Sequence, residues 1–519
     1  MAIRRATDAR GGSNGPLTPR DTTAASSTTI ARRVPAHAAD DTTTSGFRRT
    51  PAHPAGDRAS ARFRRAPAHA AGDNASWRCR RVPAHAAATG PTGATMIAPS
   101  SLPRLFAHAG SRPLSLEEHE VAFRPFGPLA SVLDELEASG LVGRGGAGFP
   151  TTRKVQLLRS QRGHKYVVVN GMEGEPAAHK DNRLLSTNPH LVLEGATQLA
   201  TMIGASRIAV CVARDNQTVV HHVEHAIHER AGDDSRGPHI DLHTPPWRYV
   251  AGEESALVHW LDDNESLPQY RPGRPHILRI GRGATLVDNA ETCANVALIG
   301  RYGAQWFRSL GTPEHPGSVV VSVTGAVTRP NVLEVNLGTP IAAILAAAGA
   351  DPNPQAVLLG GYGGAWLRGE DLATPYSNEA LAAYQLSVGA GILAVLPREA
   401  CGVVEANRVV RWMAHESARQ CGPCAFGLPA LADDLLDVVR GGREGIAAVA
   451  RLKERCGVIE GRGACRHPDG VVRFVRSSID VFSADIDNHL RGVPCAGARS
   501  RQRYLTVPAL ENEEELIWE

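Results

Sequence analysis

The chain has 519 residues, of which 42% are hydrophobic, and its 56 Lys and Arg against 53 Asp and Glu give a net charge of +3. That length allows two to four domains, and no apolar run is long enough to cross a bilayer or to form a signal-peptide core. Nine cysteines, an odd number, in a large chain without an export signal favour a reducing compartment over a disulfide framework.

The first 95 residues form a repetitive basic segment. Arg-Arg-Xaa-Pro-Ala-His begins at Arg32, Arg48, Arg64 and Arg80, a period of 16 residues. The segment has 15 Arg, 6 Asp and almost no apolar bulk, so stacked copies would bury no core. Three interpretations are open: binding to an acidic surface, an organelle transit peptide, or an over-extended gene start. We favour the third, with Met96 as the true initiator and residues 1–95 as a disordered tail.

The stretch from Gly143 to Pro150, GRGGAGFP, has four glycines in six residues. Glycine lets a backbone approach a ligand where a Cβ would clash, and free N–H groups that open a helix bind anions. Lys154, about one turn beyond the proline, could reach a phosphate as a point charge. A plain tight loop between two elements is the alternative interpretation of the same stretch.

A short apolar strand is predicted over residues 165–170, and it ends in Asn170. Directly after it come Glu173, Glu175 and the pair Lys180-Asp181. Since open α/β sheets bind ligands at the carboxyl ends of their strands, we expect ligand contacts here. GRGGAGFP followed by NGMEGEP and KD resembles the family of NADH-binding flavoprotein subunits of respiratory complex I, with its hydrogenase and formate dehydrogenase relatives.

The resemblance covers about residues 110–490 and implies three regions with distinct folds. The first, at 96–316, is an α/β Rossmann-like domain for FMN and NAD(P)H. The second, at 317–398, is a ubiquitin-like β-grasp module of the soluble-ligand-binding type. The third, at 399–495, is an α-helical bundle that carries an iron–sulfur site, and a C-terminal tail follows at 496–519.

The residue pattern of the first region alternates strands and helices. Helices are predicted at 191–204 and 217–230, with a strand at 208–213 between them. Such alternation is typical of a parallel sheet with helices on its faces.

In the second region, strands are predicted at 318–327 and 333–337. A helix at 339–349 follows, with Pro340 at its first position. The loop at 360–364 leaves a ligand role and a plain turn open, and we favour a turn that packs against the flavin domain.

The resemblance also implies the cofactor site. Gly252-Glu253-Glu254 matches a family segment that touches flavin and nucleotide, and Asn289 and Thr292 match one at the flavin phosphate. Glu173 and Glu254 are the expected catalytic residues. The residues expected to bind FMN and nucleotide are Gly143, Gly145, Gly146, Ala147, Gly148, Phe149, Lys154, Asn170, Glu175, Tyr249, Gly252, Glu253, Asn289 and Thr292.

Several positions depart from the family pattern. Met172 stands where the family usually has an Asp near the flavin. Of three aromatic positions around the nicotinamide, Phe149 is kept, whereas Leu157 and Arg274 occupy the others. Because stacking on one aromatic face contributes about 0.5–1.5 kcal/mol beyond burial, we expect weaker NADH binding or a different preferred donor, and NADPH stays open.

Three cysteines form the candidate metal site. Cys421 and Cys424 make a C-x-x-C, and Cys465 follows about forty residues later. The residues alone leave zinc, a redox dithiol and an iron–sulfur cluster open, although no strand precedes the motif as a thioredoxin-like site requires. Helices predicted at 428–440, 443–455 and about 469–490 indicate a bundle, and bundles hold metals between facing helices.

The resemblance implies that these cysteines hold a [4Fe–4S] cluster, whose usual ligands are four thiolates. The first ligand position of the family, however, is Ala418. A [3Fe–4S] cluster, a [4Fe–4S] cluster completed by another group, and a lost cluster are therefore the alternatives. Cys456 and Cys495 are candidates for the fourth ligand, and Cys401 is a weaker one.

The implied activity is NADH dehydrogenase-like. Hydride passes from NAD(P)H to FMN, and single electrons pass to the iron–sulfur centre and then to a partner such as a ferredoxin-like or membrane reductase subunit. We expect a cytoplasmic location, with attachment to the inner face of the membrane open, and no nucleic-acid partner. The competing hypothesis is a non-catalytic assembly or structural subunit on a degenerate scaffold.

Overall fold

The computed structural model describes residues 101–110, 112–125, 129–231, 237–270, 277–493 and 495–510. The predictions for residues 1–95 and for Arg274 lie outside these ranges. A first sheet of five strands has the order β3-β2-β1-β5-β4. Its strands are β1 (Lys165–Asn170), β2 (Arg207–Cys211), β3 (His239–His243), β4 (Leu278–Ile280) and β5 (Gly283–Asn289).

The predicted parallel sheet is confirmed for four of these strands. β1 pairs in parallel with β2 and β5, and β2 pairs in parallel with β3. The exception is β4, which is antiparallel to β5. Only Gly281 and Arg282 separate these two strands, and a connection of two residues can join only an antiparallel pair.

Helices cover both faces of the first sheet. Val167 and Val169 of β1 share a core with the helices that follow β1 and β5. Val168, on the other face of the sheet, lies in a second core with Leu257. β1 is therefore buried on both faces, which explains its continuous apolar run. The helices are α1 (Leu116–Ala122), α2 (Leu129–Ser139), α3 (Thr151–Arg159), α4 (Lys180–Thr187), α5 (Pro189–Ile203), α6 (Gln217–Ala231), α7 (Glu254–Asp263), α8 (Ala290–Tyr302) and α9 (Ala304–Arg308).

A second sheet has the order β7-β6-β10-β8-β9, and only β6 and β10 pair in parallel. It comprises β6 (Ser318–Gly325), β7 (Asn331–Asn336), β8 (Ala356–Leu359), β9 (Ala365–Arg368) and β10 (Ile392–Leu396), with α10 (Ile341–Ala347) and α11 (Asn378–Ala382).

Two predictions for this region have different outcomes. Pro340 is the N-cap of α10 and not its first helical residue, because its ψ of 135° is extended. The interpretation of residues 360–364 as a packed turn is confirmed. This turn joins β8 to β9, and the backbone N–H of Tyr362 donates to Glu175 Oε1 across 2.8 Å.

The remaining helices form the C-terminal region. They are α12 (Gly402–His415), α13 (Leu428–Arg440), α14 (Gly442–Ile459), α15 (His467–Val481), α16 (Ser483–Leu490) and α17 (Ala496–Arg499). The helix predicted at 428–440 is confirmed, and the one at 443–455 extends further at both ends. The prediction of a single helix at about 469–490 is wrong, because the helix is interrupted at Phe482, between α15 and α16. The side chain of Phe482 is buried and meets the Trp366 ring edge-on, with centroids 5.0 Å apart.

A short C-terminal segment, residues 502–506, lies across this region, and we call it the strap. Its Tyr504 and Leu505 backbone N–H groups donate to the Glu405 carboxylate at 3.3 and 3.4 Å. Leu505 is buried, and the Tyr362 hydroxyl donates to the carbonyl of Thr506 at 2.5 Å. None of the helices in the described part of the chain combines the length and apolar character that crossing a membrane requires.

Candidate functional site

The strand order of the first sheet reverses at β1, between β2 and β5. Asn170 ends β1 and pairs with Asn289 at the end of β5. Ligands of open α/β sheets bind in the crevice outside such a reversal. The Asn170 amide donates to the Gly252 carbonyl at 2.9 Å, and Asn289 caps α8 by accepting from the Thr292 N–H at 3.2 Å. The two asparagines thus bring three segments to one crevice.

The glycine loop between α2 and α3 borders this crevice. Gly143 N–H donates to the Phe149 carbonyl at 2.8 Å, and Gly146 has a φ of +102°, which side-chain-bearing residues rarely adopt. The Arg144 N–H donates to Thr292 Oγ1 at 2.9 Å. This bond ties the loop to the start of α8, and the loop leads into α3 as predicted.

The Arg144 side chain anchors the loop from the protein interior. It is buried, and its guanidinium lies 3.0 Å from His315 Nε2 and donates to the Pro316 carbonyl at 3.0 Å. Burial and the positive charge of Arg144 lower the pKa of His315 to about 4, so the neutral ring accepts this bond. The sequence pattern did not single out Arg144, whose only signal was its place among the glycines.

A cavity of about 1050 Å³ opens at the crevice. This volume lies at the upper end of the roughly 300–1,000 Å³ found for small-molecule sites. Most of the predicted site residues line the cavity, which extends from the glycine loop to one of the predicted cluster ligands. These residues are Gly145, Gly146, Ala147, Asn170, Glu173, Glu175, Tyr249, Gly252, Glu253, Asn289 and Cys465.

Two carboxyl side chains, the buried Glu173 and the half-buried Glu175, line the cavity. Glu173 accepts the N–H groups of Asp181 and Asn182 at 3.0 Å each, so it caps the first turn of α4. Its pKa is raised, mainly by burial and then by Asp181. Burial also raises the pKa of Glu175, to about 8, against the hydrogen bond from Tyr362. Glu175 therefore holds its proton near neutral pH, and Glu173 does so more readily than an ordinary carboxyl.

A buried ionic trio forms the floor of the same site. Lys180 Nζ lies 3.0 Å from Asp181 Oδ2 and 2.9 Å from Glu291 Oε2. Glu291 Oε1 also accepts the Val320 N–H at 2.8 Å, which joins α8 to β6 of the second sheet. Burial alone would lower the pKa of Lys180, but Asp181 and Glu291 outweigh it and the pKa is raised. Lys180 and Asp181 line the cavity, although neither was among the predicted site residues.

Six residues predicted to bind FMN or nucleotide, or to act in catalysis, do not line the cavity. They are Gly143, Gly148, Phe149, Lys154, Glu254 and Thr292. Lys154 Nζ instead bonds Glu254 Oε1 at 3.0 Å, the Val287 carbonyl at 2.8 Å and Asp288 Oδ1 at 3.2 Å. The phosphate role of Lys154 and the catalytic role of Glu254 therefore stay predictions.

The departures from the family pattern have distinct surroundings. Met172 is buried and lines the cavity, so an apolar side chain occupies the position of the expected Asp. Phe149 is 43% exposed, which leaves its ring accessible to a planar ligand. Leu157 is half-buried and packs against the core under the first sheet.

The three predicted ligand cysteines come from two segments. Cys421 and Cys424 flank the start of a π-helical turn, Pro423–Gly427, and Cys465 lies just before α15. Burial raises the pKa of the Cys424 thiol, and the neighbouring thiols Cys421 and Cys465 raise it further. The three thiols are thus close enough to interact.

The segment before Cys421 is tied to the cavity wall. Glu416 Oε2 accepts the Tyr249 N–H at 3.2 Å, and Glu416 Oε1 lies 3.4 Å from Arg248 Nη1. The Tyr249 ring packs against Trp412 and His467, with centroids 5.5 and 5.2 Å apart. Tyr249 therefore stands between the cavity and the cysteine segment.

Two family descriptions match the chain in the regions that carry this site. Residues 136–298 match the Nuo51 FMN-binding domain, and residues 405–489 match the NADH-ubiquinone oxidoreductase-F iron-sulfur binding region. The NADH-quinone oxidoreductase F-subunit of Streptomyces coelicolor is 31% identical over 384 residues, which cover 71% of this chain and 85% of that protein. The chain belongs to the NADH-quinone oxidoreductase F-subunit family.

Relatives in hydrogenases are also similar. The NADP-reducing hydrogenase subunit HndC of Solidesulfovibrio fructosivorans is 29% identical over 70% of this chain and 77% of that protein. A solved NAD⁺-reducing [NiFe]-hydrogenase in its H₂-reduced state has a chain with a TM-score of 0.65 and 27% identity, over 70% of this chain and 63% of that one. The chain thus spans less than two thirds of that hydrogenase chain. The predicted family and the predicted class, a flavin- and iron–sulfur-dependent oxidoreductase, are confirmed.

The residues present fit a flavin of this family. Gly145 lines the cavity, and a Cβ built on it would lie 3.9 Å from Asn289, so the cradle has open space beside this glycine. Asn170 and Asn289 line the cradle with amides that are held by hydrogen bonds to Gly252 and Asp181, and Gly146 and Ala147 line it with main-chain N–H groups.

The cysteines fit a multi-iron cluster better than a single ion. The thiols of Cys421, Cys424 and Cys465 influence one another. Within the part of the chain that the structure describes, however, their three sulfurs do not all lie within 4.8 Å of one another, as the ligands of a single ion would. Ala418 brings no ligand atom to the segment, and the next residue, Arg419, has a φ of +52°. Cys456 is buried within α14, and Cys495 groups with Cys401 and His489 instead.

Proposed function

We propose that the protein transfers electrons from NAD(P)H, through FMN, to an iron–sulfur centre and on to a partner. The observation that carries this proposal is the shared cavity, which is lined by the glycine loop at one end and by Cys465 at the other. A flavin in the cradle would accept a hydride and deliver electrons singly, which is the chemistry that the cofactor itself supplies.

The chain's own residues would bind and orient the cofactors. We assign phosphate binding to the N–H groups of Gly145, Gly146 and Ala147. Asn170 and Asn289, in register at the ends of β1 and β5, would fix the flavin by neutral hydrogen bonds. Lys154 would take part in phosphate binding only after leaving its bonds to Glu254 and Asp288.

Two carboxyls can hold protons in the cavity near neutral pH. The raised pKa values of Glu173 and Glu175 mean that both carboxyls hold a proton more readily than an ordinary carboxyl. We assign Glu173 as the residue that holds a proton close to the reacting ring, and Glu254 as a nucleotide contact at the cavity margin. Phe149, with its exposed ring, is the assigned stacking residue for the nicotinamide.

Cys421, Cys424 and Cys465 are the proposed iron–sulfur ligands, with a non-cysteine group in place of Ala418. Tyr249 and Trp412 would keep water from the space between the cavity and the cluster. The partner is proposed to be a ferredoxin-like or membrane reductase subunit. We also propose a Rossmann-like assignment for residues 96–316, a β-grasp assignment for 317–398 and the helical region at 399–495.

Anaerobic reconstitution of the full chain with FMN, iron and sulfide tests this function. The expected product shows flavin and iron–sulfur absorbance that NADH or NADPH bleaches. Gly145→Ala should retain the fold, because its Cβ makes only ordinary contacts, yet weaken FMN binding at least about tenfold. Gly457→Ala, on α14 with nothing within 4 Å of its Cβ, is the matched control and should bind FMN normally.

A folded protein that takes up no flavin would overturn the proposal and favour a non-catalytic assembly role. Flavin uptake without bleaching by either nucleotide would contradict the assigned electron donor. Equal FMN affinity of Gly145→Ala and wild type would remove the glycine loop from the binding site.

A further inference from the structure

A second group of potential metal ligands lies in the helical region, formed by Cys401, His489 and Cys495. The two sulfurs and one imidazole nitrogen all lie within 4.8 Å of one another. Nowhere else in the ranges that the structure describes are three His, Cys, Asp or Glu side chains gathered this closely. None of these three residues lines the cavity, and none belongs to the proposed iron–sulfur ligands Cys421, Cys424 and Cys465.

The orientation of His489 suits a metal ligand. Its Nδ1 lies 2.7 Å from the Val439 carbonyl, and because a carbonyl only accepts, Nδ1 carries the proton. The Nε2 atom then presents its lone pair, 3.3 Å from Cys401 Sγ. A ring whose other nitrogen donates to a backbone carbonyl is the usual arrangement of metal-bound histidine. His489 is also buried, so the ring is held in this direction.

Both cysteines are positioned by the backbone. Cys401 is the N-cap of the 14-residue helix α12, and its sulfur lies within 4.8 Å of the Cys495 sulfur. Cys495 is half-buried at the start of α17, and a Cβ on Gly497 would lie 2.5 Å from the backbone N of Cys401. The start of α17 is therefore pressed against the start of α12, which keeps the two sulfurs together.

We propose that Cys401, His489 and Cys495 bind one Zn²⁺ ion, as two thiolates and one neutral imidazole, with solvent as the fourth ligand. Zinc favours tetrahedral sites with sulfur and nitrogen ligands, and two thiolates balance its charge. Each thiol releases its proton to solvent on binding. The ion would cross-link the start of α12, the end of α16 and the segment that leads into the strap. This site is independent of the flavin and of the iron–sulfur thiols.

Metal analysis of the full chain tests the site directly. The protein is stripped with a chelator, incubated with excess Zn²⁺ alone under reducing conditions, and desalted, and zinc and iron are then measured separately. We expect one tightly held zinc in wild type, and its loss in Cys401→Ser and in Cys495→Ser. Cys456→Ala, which removes a buried thiol outside both groups, should keep zinc.

A second measurement does not depend on variants that fold. Added Zn²⁺ should slow alkylation of the half-buried Cys495 in wild type, mapped by mass spectrometry, by more than about tenfold relative to the same protein without Zn²⁺. The site is refuted by wild type that retains no zinc, by zinc that persists in both serine variants, or by zinc that is lost only with Cys421 or Cys424. A Cys401–Cys495 disulfide that persists under reduction would refute it as well.

Discussion

Replacing Lys180 by Met should destabilise the fold by about 3–5 kcal/mol, because it leaves two buried carboxylates without their cation. The Lys180 side chain is 4% exposed and lies 3.0 and 2.9 Å from Asp181 and Glu291. Met keeps much of the volume of the stem, so packing changes little. Asp181 and Glu291 keep backbone hydrogen bonds of 2.9 and 2.8 Å, which places the expected loss at the lower end of this range.

The loss should depend on pH. Burial raises the pKa of Glu291 even with Lys180 in place, and removing Lys180 raises this pKa further. A carboxyl whose pKa is higher in the folded state than in the unfolded state costs stability above its folded pKa, and the protein regains that stability as pH falls through it. The destabilisation of Lys180→Met should therefore shrink between about pH 7.5 and about pH 5.5.

Urea denaturation followed by far-UV circular dichroism, at both pH values, measures this effect. Lys453→Met, an exposed lysine on α14, is the control and should change stability by less than about 0.5 kcal/mol. The double variant Lys180→Met/Glu291→Gln should regain at least about 1 kcal/mol relative to Lys180→Met. A loss below about 1 kcal/mol, or one that is equal at both pH values, would show that this trio does not stabilise the fold as its geometry indicates.

Three further predictions address the site. Because burial raises the pKa of Glu175 to about 8, wild type should lose stability as pH rises from the usual 4.5 towards 8, whereas Glu175→Gln should have a flatter profile of thermal midpoint against pH; parallel profiles would contradict this. Cys465→Ser should lower the iron content and the EPR signal of reconstituted protein while FMN remains bound, and unchanged iron would remove Cys465 from the cluster. Glu416→Ala removes the acceptor of the Tyr249 N–H and one partner of buried Arg248, so its free energy of unfolding in urea should fall by about 1–3 kcal/mol, against less than about 0.5 kcal/mol for exposed Glu444→Ala; equal losses in the two variants would refute the anchoring role.

Local patterns predicted the elements that depend on neighbouring residues. Lys165–Asn170 and Leu428–Arg440 have the predicted bounds, since an apolar run and a helical period are visible within one segment. The glycine loop was also visible, because four close glycines indicate a backbone with unusual φ values. These signals were enough to place the cavity at the carboxyl end of β1.

Contacts between distant residues were not visible in the sequence. Lys180 and Glu291 are 111 positions apart, and Tyr249 and Glu416 are 167 apart, so no local pattern links either pair. The interruption between α15 and α16 at Phe482 was not visible for the same reason, because Phe482 packs against the distant Trp366. The sequence makes Cys401 only a weak candidate for the fourth iron–sulfur ligand and gives no sign of its group with His489 and Cys495, because only the fold brings these three residues together.

The strap connects the C-terminal segment directly to the wall of the cavity. Thr506 accepts from the Tyr362 hydroxyl, and the backbone of the same tyrosine donates to Glu175 in the cavity wall. Removing residues beyond 501, or attaching a bulky fusion that displaces them, would therefore loosen the turn that positions this carboxyl. Affinity tags for purifying the protein with its cofactors are better placed elsewhere than at this terminus.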